Sequence, residues 1–78
     1  MMKKLLILGT GCAACTKLAA LVVRAADELE IEIDLEKTGD IERILAYDVA
    51  STPALVVDGV VKLAGRVPPI AELKQLMR

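Results

Sequence analysis

The 78-residue sequence has no histidine, tryptophan or phenylalanine, and Tyr47 is its one aromatic residue. Without histidine, Ser-His-Asp triads, Cys-His nucleophilic pairs and mixed Cys/His zinc sites are excluded. Ten basic residues against eleven acidic ones leave a formal net charge of −1. That balance, with a single aromatic, offers neither an electrostatic footprint for phosphates nor a platform for stacking bases, so nucleic acid is not an expected partner. No apolar stretch approaches the ~18 residues of a membrane span, and no membrane association is expected. The start, MMKKLLILGTGC, has the basic-then-apolar order of an export or lipid-attachment signal. Its apolar run, Leu5 to Leu8, is shorter than the ~7–15 residues such a signal needs, and Gly9 stands three before Cys12 where lipid attachment usually takes leucine. A cytoplasmic chain is expected. Cysteine is scarce too: Cys12 and Cys15 are the two in the chain, so whatever chemistry it performs has to come from this pair of sulfurs.

What is present describes a small globular protein. The chain is 55% hydrophobic and 27% charged, a profile that folds and stays dissolved. At this length one domain, residues 1–78, and a monomer are expected, with a core that offsets chain entropy only narrowly. Leu5 to Leu8 is an unbroken apolar run between Lys4 and Gly9, as in a strand covered on both faces. Leu18, Leu21, Val22, Ala25 and Leu29 then recur at helical spacing, which predicts an amphipathic helix from about Ala13 to Glu30. IEIDLE alternates strictly and reads as an edge strand, its carboxylates facing water and discouraging pairing with another chain. Thr38 or Asp40 can cap a short helix expected to bury Ile41, Ile44 and Leu45.

PALVV is a second continuous apolar run, and Asp58-Gly59 between it and VVKLA is a strong hairpin signal. Pro68-Pro69 leads into a last helix whose Ile70, Leu73 and Leu76 are expected to face the core. The predicted class is therefore α/β, in the order βαβαββα. A right-handed parallel crossover joins the first two strands, and the apolar runs form the inner strands. The spatial order is then 2-1-3-4 in a four-stranded mixed sheet with helices on both faces.

Cys12 and Cys15 stand at i and i+3 at the start of the first helix, where Cα atoms lie about 5–6 Å apart and a disulfide can close. Cys15 precedes Leu18 by three and Val22 by seven, which puts it on the buried stripe, whereas Cys12 is at the helix tip. Thiol–disulfide exchange needs such a pair: a reachable thiolate attacks a substrate disulfide, and a sheltered thiol resolves the intermediate. The helix dipole and unpaired N–H groups at the tip are expected to lower the Cys12 pKa below the ~8.5 of a free thiol. Gly9 and Gly11 supply turn freedom, and Gly11 is a candidate for close approach of a partner chain to the Cys12 sulfur. Pro53, opening a strand inside the sheet, lacks a ladder donor, and its bond to Thr52 is open to either isomer on the residues alone.

A strand, CAAC opening a helix, then YDVASTPALVVDG leading into a hairpin and a last helix resembles the thioredoxin/glutaredoxin-like superfamily over nearly the whole chain. The small prokaryotic redox-active disulfide proteins, which are glutaredoxin-like, are the most similar, with GTGC..C near the start and STPALV.DG near residue 50. The resemblance implies a thioredoxin-like fold with Cys12 as nucleophile and Cys15 as resolving thiol. It also implies that Pro53 is a cis-proline facing the disulfide and that Thr52 offers backbone hydrogen bonds to a bound thiol substrate. No cofactor is implied beyond the Cys12–Cys15 disulfide itself. The partners implied are a disulfide-containing protein and a thioredoxin-reductase-like or thiol electron donor. Tyr47 and Val49 match family positions that pack in the core. The chain departs from the larger members in having Ala-Ala between the cysteines, no tryptophan before Cys12 and no buried acid on the first strand. Gly65 in AGRVPP keeps one glycine of the glutathione-binding turn of glutaredoxins, but Arg66 and Val67 follow where more polar residues are usual, which leaves glutathione open.

Two other readings compete. TGCAAC also resembles the MTCxxC loop of copper chaperones, and two thiolates suffice for Cu(I). Those domains run βαββαβ and end on a strand, however, and Thr10 stands where they have methionine. Structural cysteines are the other alternative, but a disulfide across so short a loop constrains little of the unfolded chain, and reducing compartments keep such thiols open.

Overall fold

The structure, a computed structural model, describes residues 2–9, 13–49 and 51–78. The two uninterrupted apolar runs become inner strands. β1 (Lys3–Leu8) pairs in parallel with β2 (Ile33–Thr38) and antiparallel with β3 (Ala54–Val57), which pairs antiparallel with β4 (Val60–Ala64). The sheet order is β2-β1-β3-β4, as expected. α1 (Ala13–Leu29) makes the crossover between the parallel strands, α2 (Ile41–Ala46) follows β2, and α3 (Ile70–Met77) ends the fold.

Side-chain alternation on the inner strands divides the core in two. Leu5, Ile7, Leu55, Val57 and Leu63 face α1 and α3 and pack on Leu18, Val22, Leu73 and Met77. Leu6, Leu8, Ala54 and Val56 face the other way, toward Ile44 and Val49, with Tyr47 and Val61 alongside. Among the described residues no polar or charged side chain is buried. Packing holds the fold, at about 1.5–3 kcal/mol for each large aliphatic side chain fully removed from water.

Local signals account for most of the boundaries. Asp58 (φ 49°) and Gly59 (φ 85°) both take the left-handed backbone of a two-residue hairpin. Asp58 also ties the turn to β1: its N–H donates to Lys4 O at 2.8 Å, and its Oδ1 accepts from Lys4 N–H at 3.0 Å. Asp40 caps α2 by accepting from Glu42 N–H at 3.0 Å, while Thr38 Oγ1 accepts from Asp40 N–H at 3.2 Å. In β4 the register steps from Leu55–Leu63 to Val56–Val61, so Lys62 is the extra residue of a bulge.

Two expectations are corrected. The alternating segment enters the sheet at Ile33, not Ile31, because α1 ends in a Schellman motif. Glu30 is left-handed at φ 55°, its N–H donates to Asp27 O, and Ile31 N–H donates to Ala26 O. Within α2, Ile44 is buried, but Ile41 and Leu45 are 65% and 66% exposed. The six-residue helix lies on the sheet by the side that carries Ile44 and leads on to Tyr47, and Arg43 holds that side to β2 through an ion pair with Glu36 at 3.2 Å. In α3, Ile70, Leu73 and Leu76 face the core as expected, Leu73 fully buried and the other two half-buried against it, and Met77 joins Leu73 inside.

Because α2 is short, its side of the sheet keeps an open cleft of about 330 Å³ bordered by Lys4, Glu36, Arg43, Tyr47 and Gly59. On the opposite side α3 is tied to α1 by Lys74, which pairs with Glu28 at 3.1 Å, and Arg24 pairs with the same carboxylate at 3.2 Å. Lys74 first, and then Arg24, hold the Glu28 carboxyl below its ordinary range. A carboxyl depressed in the folded state stabilises above its unfolded pKa, and the contribution is lost as pH falls through the folded value. Glu28→Gln should therefore flatten the acid limb of urea midpoint against pH while leaving the alkaline limb unchanged. Leu55→Ala, which opens space in the middle of the sheet, should cost about 3 kcal/mol in the same unfolding measurement.

Candidate functional site

The site forms where the carboxyl end of β1, the first turn of α1 and the segment before β3 meet. The parallel ladder runs one bond past β1, with Gly9 N–H donating to Thr38 O at 2.9 Å. This brings Gly9 beneath the start of α1, in whose first turn lies Cys15. Cys15 is 4% exposed and falls on the buried stripe with Leu18 and Val22, as its spacing predicts. Its sulfur lies against the Gly9 backbone. A β-carbon at residue 9 would overlap Cys15 Sγ and would stand 3.9 Å from Thr52 Cβ, so Gly9, Cys15 and Thr52 converge on one point. Gly11 and Cys12 fall outside the described residues.

The Thr52–Pro53 peptide bond is cis. Pro53 is buried, while Ser51 and Thr52 are exposed, Thr52 beside the Gly9–Cys15 contact. Gly65 stands behind this segment: its N–H donates to Pro53 O at 2.8 Å, which closes the sheet over the proline. Gly65 is left-handed at φ 81°, and a β-carbon there would press on Ser51 Cβ at 3.0 Å. It therefore holds the loop from the rear by its backbone. Arg66, the next residue, is engaged by the Glu72 carboxylate on α3, and this ion pair keeps the Glu72 pKa low.

A cavity of about 180 Å³ is bordered by Cys15 together with Gly9, Thr16, Lys37, Thr38 and Gly39. Two of these residues escaped the sequence reading as parts of a site. Gly9 looked like turn chemistry, although a glycine between an inner strand and a helix bearing a buried cysteine is a signal of close backbone approach. Lys37 lay past the expected end of its strand. The register that pairs it with Ile7 becomes visible only once β2 begins at Ile33.

The arrangement shelters one sulfur in the first turn of a helix, where unpaired N–H groups and the dipole favour negative charge. Gly9→Ala should force the Cys15 side chain from its place. The expected cost is about 1–3 kcal/mol in urea unfolding, with slower closure of any disulfide that Cys15 makes, read by quenched alkylation and mass.

Comparison with known proteins agrees with this geometry. The sequence matches the thioredoxin domain family over residues 3–78. A protein named thioredoxin from Methanothermobacter thermautotrophicus is 38% identical over 76 residues, covering 97% of this chain and 99% of the relative. Another of that name from Methanocaldococcus jannaschii is 32% identical over 72 residues, covering 92% of this chain and 83% of the relative. A sheet in the order 2-1-3-4, a buried thiol at the start of the crossover helix and a match along almost the full chain have one explanation: the chain belongs to the thioredoxin family, whose members are thiol–disulfide oxidoreductases.

Proposed function

We propose that Cys12 and Cys15 are the redox centre and that the chain uses them to reduce or exchange disulfides in a partner protein. Cys12, the residue ahead of α1 in the chain, attacks as the thiolate. Its sulfur bonds to one substrate sulfur while the substrate disulfide breaks, and the other substrate sulfur leaves as a thiolate and takes a proton from water. Cys15 then loses its proton, attacks the Cys12 sulfur and displaces the second substrate thiolate. The substrate gains two electrons, and the chain is left with a Cys12–Cys15 disulfide. A thioredoxin-reductase-like protein or a small thiol returns the two electrons.

The observation that carries this reading is the burial of Cys15 in the first turn of α1 against Gly9, beside the Thr52–Pro53 segment. A resolving thiol has to be sheltered from external disulfides yet close to the residue three before it, and Cys15 meets the first condition by packing and the second by its place in the chain. Gly11, Thr52 and Pro53 are the proposed contacts of the substrate chain next to the attacked sulfur, with Gly65 holding the proline from behind. No helix among the described residues is long and apolar enough to cross a membrane. We place the activity in the cytoplasm, where a dithiol is kept reduced between turnovers.

Cys12→Ser should drop turnover of a protein disulfide to the uncatalysed background. Cys15→Ser should instead accumulate a mixed disulfide on Cys12, seen as added mass that a reductant removes. Full turnover by the Cys12→Ser protein would refute the assignment.

A further inference from the structure

Ionising a buried thiol is costly, because burial in apolar surroundings raises its pKa. The second step proposed above requires this of Cys15, a residue 4% exposed, with no carboxylate buried among the described residues. The surroundings of that sulfur are uneven in a useful way. Ile7 and Gly9 on β1 bring no charge. Ser51, Thr52 and Pro53 bring none from the segment before β3. On α1 itself Lys17 is two residues on, which turns it away from the buried stripe. In the turn after β2, Asp40 is occupied in capping α2. Among the described residues one charged residue borders the cavity beside Cys15, and it is Lys37.

The sheet register explains why Lys37 is there. In a parallel pair, matched residues project to the same face. Lys37 is matched to Ile7, and Ile7 belongs to the cluster under α1 and α3. Lys37 therefore emerges on the α1 side, while Glu36, paired with Arg43, belongs to the other face. Lys37 is exposed, and the cavity that it borders together with Cys15 is roomy enough for several water molecules.

Resting on the reading of Cys15 as the resolving thiol, we infer that Lys37 is its positioning charge: the ammonium favours the Cys15 thiolate across the shared cavity, through which the proton departs to solvent. An opposite charge close to an ionisable group favours its charged form. The cation acts on the second step in particular, since in the mixed disulfide Cys12 carries no charge and Cys15 is the sulfur that has to ionise. The balance is unchanged: the proton lost by Cys15 passes through water and is matched by the one taken up by the departing substrate thiolate.

The test uses the reduced full-length protein and a neutral pyridyl disulfide, whose released thione is followed by absorbance in stopped flow. The first release is bimolecular and reports Cys12; the second is unimolecular and reports Cys15. Lys37→Met should move the pH profile of the second release upward and slow it about three- to tenfold at neutral pH. Lys37→Glu should slow it further, and Lys37→Arg should restore the wild-type profile. Since Lys37 is exposed, unchanged urea midpoints are expected for all three variants. Second-release profiles that coincide in wild type, Lys37→Met and Lys37→Glu would overturn the inference, as would a first release shifted by as much as the second. Absence of any second release from the wild-type protein would overturn the exchange reading itself, and this inference with it.

Discussion

The sulfur of Cys15 occupies the volume that a β-carbon would take at residue 9, and the geometry of this end of the molecule follows from that contact. It lets the first turn of α1 descend onto the end of β1, which buries the second thiol and sets the angle at which the crossover helix leaves the sheet. From there Leu18, Val22 and Ala25 pack in one cluster with Leu5, Ile7 and Leu55. Thr52 reaches the same point from the other side, so one residue without a side chain gathers the strand, the helix and the cis-proline segment.

The two faces of the sheet serve different ends. Under α1 and α3 lies the larger core, with Leu18, Leu55, Leu73 and Met77 fully buried, and it is also here that charges couple the two helices through Glu28. On the α2 side a single turn and a half of helix covers Leu8 and Ala54 and leaves the far end open. In so small a domain a single large core is what the chain length permits, and the proposed redox site sits at the edge of that core, where Cys15 is firmly packed beside a cavity.

Much of this was legible in the residues. Continuous against alternating apolar runs identified inner and edge strands, Asp58-Gly59 marked the hairpin, and the spacing of Cys15 to Leu18 and Val22 placed its thiol inside. The parts that were not legible are those where a residue adopts a conformation its type does not advertise. Glu30 is left-handed at the end of α1, a place usually signalled by glycine, and so the start of β2 was read two residues early. Ile41 and Leu45 have core-like side chains, but a six-residue helix can lay only one narrow face on a sheet, and the ion pair of Arg43 helps decide which. The cis state of the Thr52–Pro53 bond followed from family resemblance and not from the residues alone.

A protein that meets other chains by their disulfides has to present itself often without joining its own copies edge to edge. Both outer strands work against such growth. β2 shows Asp34, Glu36 and Lys37 to water, and β4 is interrupted at Lys62, whose extra backbone unit throws the hydrogen-bonding row out of step. A neighbouring strand arriving at that border would find its ladder broken after two or three rungs and a cation in the gap. The sheet thus stops at four strands, and its borders are poor templates for a second copy.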